Sequence, residues 1–416
     1  MRTTRRTDEA APHKWEFKTR FRRHAFGWKS QPAIQRVKEA VAEIRKVARK
    51  NPVLAADGAA TLIERLSPAL EHVDSSSGAI GTAVRHAIDV LVPIIAEAPV
   101  DTPTRAAWLE RLWEAHATDD IPYIESLADY WGELCGSAEV AGAWADRLLG
   151  ITRMALGPDK DVRGYFHGTS ACLSALYCAG RYAEIVRLLD VDTLWSYKRW
   201  AVKALAAMGK GDEAIGYAEA CRSPWASDLD IDGICEEILL SSGKVDEAYA
   251  GYGLRASRAG THLATFRAVV QKYPHKSAAE VLTDLVKATP GEEGKWFAAA
   301  KEAGLYDDAL ALASRTPCDP RTLTRAARDY AVKAPAFAVG AGLLALHWLV
   351  LGYGYEIIGA DVWAAFDATM KAAEQQGSAT ATRERIRTMV TSERFGEHFV
   401  TRVLGRDLGL AKESGG

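Results

Sequence analysis

Cysteine is sparse and scattered. Cys135, Cys172, Cys178, Cys221, Cys235 and Cys318 include no CxxC pair, a pattern that fits reduced, partly buried thiols better than a disulfide framework or a zinc site. The basic N-terminal residues MRTTRRTDEAAPHKW have no apolar run behind them, which argues against a secretory signal and for a cytoplasmic chain. Alternating β-branched runs are missing too, so strands are expected to be few or absent. There is no HExxH, no GxSxG, no P-loop and no dinucleotide-binding GxGxxG after a strand. The expectation is therefore a chain without a cofactor or a catalytic set.

Long uncharged runs are also scarce, with one exception. Twenty-two residues between Lys333 and Glu356 carry no formal charge, which is long enough to cross a bilayer. Pro335, Gly340, Gly342, His347, Gly352 and Gly354 interrupt it. It reads as a buried helix that starts near Pro335 and ends at the Gly-Tyr-Gly of residues 352–354, so no membrane is expected.

What is present is the composition of a folded protein. Of 416 residues, 48% are hydrophobic and 25% charged, which favours neither disorder nor a membrane class. The charge is unevenly spread. Residues 1–50 hold 15 Lys/Arg against 5 Asp/Glu, a net of +10, so with a total of −2 the remainder carries −12. Residues 101–146 alone hold 10 acids and 2 bases.

Residues 1–33 are polar, basic and aromatic without a clean period, and read as an arm. Pro32 then opens a helix whose apolar stripe is Ile34, Val37, Val41, Ile44 and Val47. Lys38, Arg45 and Arg49 fall within about 40° of one another beside it. From there the pattern is helix after helix, punctuated by Pro52, Pro68, DSSSG at 74–78, Pro93, Pro99, DTP at 101–103, Pro122 and LGPDKD at 156–161. We divide the chain into the arm (1–33), an N-terminal helical region (34–165), helical repeats (166–330) and a C-terminal helical region (331–416).

The repeats are AGRYAEIVRLL, MGKGDEAIGYA, SGKVDEAYAGY and AGLYDDALALA, with glycines at 180, 209, 243 and 304 and spacings of 29, 34 and 61. The last spacing is about two periods, and the intervening unit falls near Tyr273 and Pro274. Each segment joins an apolar helix to a glycine suited to positive φ, then to an acidic residue in the next helix. Ala214, Ala248 and Ala309 sit where paired helices approach closely, with Ile185 in that place in the first unit.

These four turns resemble the inter-helix turn of tetratricopeptide repeats, without that repeat's tryptophan and closing proline in step. The segment YAVKAPAFAVGAGLLALHWLVLGYGYEI resembles the helical region that accompanies SWIM zinc-finger segments, whose cysteine-histidine signature is absent here. Overall the chain is similar to a family of uncharacterised bacterial α-helical repeat proteins. The resemblance implies an all-α, helical-hairpin solenoid of the tetratricopeptide or HEAT kind, and a prokaryotic source.

Candidate sites follow from charge and spacing. Arg20, Arg22, Arg23, Lys29, Lys38, Arg45 and Arg49 are candidates for phosphates, with Trp28 or Phe26 stacking on bases. A second account docks the arm, through Trp15, Phe17, Phe21, Phe26 and Trp28, on the acidic helices around Glu125, Asp129 and Glu133 of its own or a neighbouring subunit. Glu125, Asp129 and Glu133 recur at i, i+4 and i+8 and read as one helix face that suits a cation, a basic partner or, as the leading expectation, water. Asp228, Asp230 and Asp232 precede Gly233 as in a calcium loop, but position 12 is Leu239, so helix-capping acids on a surface turn are expected and no metal. DSSSGAIGT reads as a turn that caps its own helix, His167 as structural beside Cys172, and Trp108, Trp113, Trp131 and Trp144 as core. The leading functional expectation is a scaffold or adaptor that binds a protein partner, with homo-oligomerisation included. Nucleic-acid binding through the arm and first helix is the alternative, and a helical-repeat DNA-repair enzyme a third reading by fold analogy.

Overall fold

A computed structural model describes residues 13–157, 164–191, 193–394 and 398–410. The first twelve residues of the arm and most of LGPDKD lie outside them. The described chain is all-helical and contains no strand. It divides into two compact units, Met1–Ile231 and Asp232–Gly416.

Unit 1 opens with α1 (Phe17–Arg20), α2 (Ser30–Ala48), α3 (Pro52–Leu70), α4 (Ala79–Ala96) and α5 (Thr102–Ala117). A 3-10 turn, Glu125–Tyr130, leads into α6 (Trp131–Cys135), followed by α7 (Ala138–Ala155), α8 (Thr169–Cys178) and α9 (Tyr182–Leu188). Next come α10 (Trp195–Ala207), α11 (Gly211–Ala220) and α12 (Asp228–Ser241), the last crossing the unit boundary. Start signals are local. Asn51 accepts from the Leu54 amide at 3.0 Å with Pro52 behind it, and Asp101 accepts from Thr104 at 3.0 Å.

Two of the sequence's punctuation marks sit inside helices. Pro68 lies in the last turn of α3 and Pro93 near the end of α4. A proline there gives up one intrahelical bond without ending the helix, because packing on both sides holds the backbone. Pro32 likewise sits in the first turn of α2, which begins two residues before it, where amides lack intrahelical partners anyway.

The core of unit 1 joins α2, α3 and α4, continues through α6, α7 and α8, and ends at α10. Among the described residues α4 is the helix long and apolar enough to cross a membrane. Here Ile80, Val84, Ile88, Leu91 and Ile95 are buried against α2, α3 and α6. The buried Arg105 ends this helix. Its guanidinium donates to the carbonyls of Ile95, of Ala96 at 3.1 Å and of Ala98 at 2.9 Å, where the Ile95 and Ala98 carbonyls also accept from the amides of Ala98 and Val100.

Unit 2 continues with α13 (Val245–Ala248), a π turn (Tyr249–Gly253), α14 (Leu254–Ala256), α15 (His262–Lys272) and α16 (Ala278–Ala288). Beyond lie α17 (Phe297–Glu302), α18 (Tyr306–Arg315), α19 (Pro320–Tyr330), α20 (Pro335–Val350), α21 (Gly359–Gln376), α22 (Ala379–Thr391) and α23 (Phe399–Leu404). The uncharged run forms α20, which packs against α18, α19, α21, α22 and α23 and so makes the centre of this unit. Gly342 lets it approach α21, since a Cβ there would strike Thr369.

The four repeat glycines share one geometry. Gly180, Gly209, Gly243 and Gly304 have φ of 73°, 77°, 74° and 76°. In each case the next amide returns to a carbonyl five residues earlier: Arg181 to Leu176, Lys210 to Leu205, Lys244 to Leu239 and Leu305 to Ala300, at 2.9 to 3.0 Å. This is the bonding of a Schellman helix end, which needs a left-handed residue. Ala214, Ala248, Ala309 and Ile185 are fully buried. The glycine-free interval near Tyr273 holds a helix pair, α15 and α16, joined by a turn that ends in a capping box at Ser277 and Glu280.

Candidate partner-binding surface

The arm from Trp15 to Phe21 is folded down on α2 and α3. Trp15, Phe17 and Phe21 are 1 to 2% exposed. The Trp15 indole lies on Gly58 of α3, where a Cβ would collide with it. Polar contacts fix the same segment. Glu43 of α2 accepts from the amides of Glu16 and Phe17, while Arg65 of α3 donates to the carbonyls of Lys18 at 3.1 Å and Phe21 at 3.4 Å. The acidic helices around Glu125, Asp129 and Glu133 take no part in this docking. The arm chose its immediate neighbours because α2 and α3 supply both an apolar seat and the carboxylate that its first amides need.

Docking sorts the candidate cations. Arg20 is ion-paired with Glu16 at 3.3 Å and Glu39 at 3.0 Å, so it is already engaged. Arg22, Arg23, Lys29, Lys38, Arg45 and Arg49 are exposed, and their side chains have no partner among the described residues. Along α2 and its C-cap the last three form a solvent-facing row about 16 Å long at 1.5 Å per residue. Phe26 packs edge-on against Phe21 and is half-buried, which removes it as a stacking surface, whereas Trp28 is 72% exposed beside Lys29.

The acidic residues are arranged otherwise than a single helix face. Glu125 and Asp129 lie in the 3-10 turn and Glu133 in α6, so the change of helix type breaks the four-residue register. Asp129 pairs with Arg199 at 2.6 Å, and Glu125 accepts from the Tyr165 hydroxyl at 3.4 Å. Glu133 remains exposed. Two of the three charges are therefore answered from within unit 1.

Asp228, Asp230 and Asp232 stand in the opening turns of α12 rather than in a loop. Asp228 pairs with Arg222, and Asp232, which is 2% exposed, holds the Arg255 guanidinium through both oxygens at 3.0 Å. The capping role belongs to Ser227, whose hydroxyl accepts from the Asp230 amide. In DSSSG, Asp74 accepts from the Ser76 amide and Gly78 turns the chain at φ 69° into α4.

Beneath the surface of unit 1, Trp113, Trp131 and Trp144 pack ring against ring with His116 and His167. Burial holds both histidines below the usual imidazole range. Cys172 is fully buried and its thiol is pushed up to about 11. It contacts the Ala145 carbonyl, so His167 and Cys172 form no nucleophile and base pair. Among the described residues no three His, Cys, Asp or Glu side chains converge as a metal set.

Sequence reading missed the polar residues that hold unit 1 together. Arg111 of α5 reaches Asp57, Thr61 and Glu64 of α3, and Asp57 also accepts from the Trp108 indole. The single visible signal is that Arg105 and Arg111 are the two bases within an acidic segment. No protein-family model, curated protein or solved structure gives a significant match to the chain.

Proposed function

We propose that this chain is a non-enzymatic, cytoplasmic scaffold or adaptor, a helical-hairpin repeat protein that binds a protein partner on the exposed faces of its helix pairs. The observation that carries this reading is the fourfold recurrence of one helix-ending turn with a buried residue at the facing position. A repeated packing unit builds surface rather than a reaction centre. Large apolar side chains border the pairs in unit 1. Tyr165, Leu194, Met208 and Trp225 are 75%, 64%, 41% and 92% exposed, and an indole so open to water suits a contact better than a core.

The test is reconstitution. A protein recovered with the full chain after nuclease treatment should, once purified, bind it at defined stoichiometry, and Trp225→Ser should weaken that binding. Recovery that depends wholly on nucleic acid would refute the reading.

The exposed cations of the arm and α2 support a second reading, binding of a nucleic acid. Six exposed cations lack partners among the described residues while Arg20, Arg36, Arg111 and Arg147 are ion-paired, so this charge is unspent. Its test is salt dependence. Log affinity for a single-stranded oligonucleotide should fall linearly with log salt, and neutralising Arg22, Arg23 and Lys29 should flatten the slope by about 0.7 for each phosphate no longer neutralised.

A further inference from the structure

Unit 2 contains a groove of about 780 Å³ whose floor is α20 and whose walls are α18 and α22. Leu310 of α18, Val339, Leu343 and Leu344 of α20 and Met389 of α22 make it apolar. The room comes from small side chains at its edges, Ala311, Ala336 and Ala381, while Gly340 lets the Leu310 side chain close in on α20, since a Cβ there would strike it. From Ala336 to His347 the floor runs about 16 Å at 1.5 Å per residue.

Charge in the groove has one sign. Among the lining residues Arg385 alone carries a formal charge, and it has no partner among the described residues. His347 lies half-buried in the same lining, and burial favours its neutral form, which leaves an uncharged hydrogen-bonding ring. Gln376, Ser378 and Thr382 add neutral polar atoms at the end of α21 and the start of α22. The combination of an apolar bed with a few polar groups at one side is that of a small-molecule site, and the volume is in the range of such sites.

The low exposure of the floor argues for a thin ligand. Val339 and Leu343 on the floor are only 7% and 6% exposed. A seat for a partner's α-helix, some 10 Å across, would leave its floor open to water when empty. We propose that this groove binds an aliphatic carboxylate, its chain along Val339, Leu343 and Leu344 and its carboxylate on Arg385. The site does not rest on the adaptor reading: its α18 wall belongs to the fourth repeat, but it uses none of the exposed apolar side chains named in unit 1 and none of the exposed cations of the arm and first long helix.

The experiment is isothermal titration of the full chain with decanoate below its micellar concentration, with decyltrimethylammonium as the cationic control. Saturable one-to-one binding of decanoate, absent for the cation, is expected. Arg385→Gln, an exposed change on α22, should weaken it about tenfold, the size of one charge-assisted hydrogen bond. Ala381→Trp should fill the groove and abolish binding, with circular dichroism and the melting temperature checking that the variant is folded. No saturable binding, equal binding of the cation, or unchanged affinity in Arg385→Gln would overturn the proposal. So would a concentration-dependent dimer that Ala381→Trp disrupts and decanoate does not, since that would give the groove to a second copy.

Discussion

Glu43 grips the start of α1 from α2: its two carboxylate oxygens accept from the backbone amides of Glu16 at 2.8 Å and Phe17 at 3.2 Å. A four-residue helix has no stability of its own, so it depends on this cap and on the burial of Trp15, Phe17 and Phe21. Glu43→Ala is expected to cost about 1 to 2 kcal/mol of local stability. Amide exchange across residues 15–21 should quicken by about tenfold or more while α3 and α4 exchange as before.

Gly58 makes the apolar half of the same docking. Gly58→Leu should expel the Trp15 indole or strain α3, at about 1 to 3 kcal/mol. The check is a lower denaturation midpoint with a red shift in tryptophan emission. An unchanged midpoint would place Trp15 elsewhere.

Arg105 donates to the carbonyls at the end of α4 from a buried position. Arg105→Met keeps the bulk and removes every guanidinium donor, leaving the Ile95 and Ala98 carbonyls with their backbone donors alone and the Ala96 carbonyl without its arginine. A loss of about 3 kcal/mol is expected, measured by urea unfolding, whereas an exposed arginine such as Arg49 should tolerate the same change within about 0.5 kcal/mol.

The sequence made much of this legible, and the limits are physical. Helical class, the extent of α20 and the turns at Gly180, Gly209, Gly243 and Gly304 follow from periodicity and from the one residue that accepts positive φ freely. Trp108, Trp131 and Trp144 were readable as core from their helical context. The pairing of Asp129 with Arg199 and of Asp232 with Arg255 was not, because partners 70 and 23 positions away meet only through packing. The 3-10 turn at Glu125 was hidden for a related reason, since four-residue spacing implies one face only if the helix is α throughout. The groove around Arg385 had no local signature at all, being assembled from three helices that each read as ordinary.

Burial makes His116 a pH-sensitive residue for stability. Its Nε2 faces the His167 carbonyl at 3.2 Å, and burial depresses its affinity for a proton in the folded state. The unfolded chain takes up that proton near pH 6.5, so below this the unfolded state binds more protons and stability falls. The contribution is complete above about pH 6.5 and is lost progressively until the folded histidine itself titrates. His116→Gln should flatten the slope of unfolding free energy against pH in that window, read from urea midpoints.

The adaptor reading is tested most directly by hydrogen exchange on the full chain, alone and with the protein partner that survives nuclease treatment. The account predicts slowed exchange in the helix pairs of residues 169–220 and in the segment around Trp225, with residues 13–50 unchanged. Protection confined to 13–50, or no protein partner left after nuclease treatment, would contradict it.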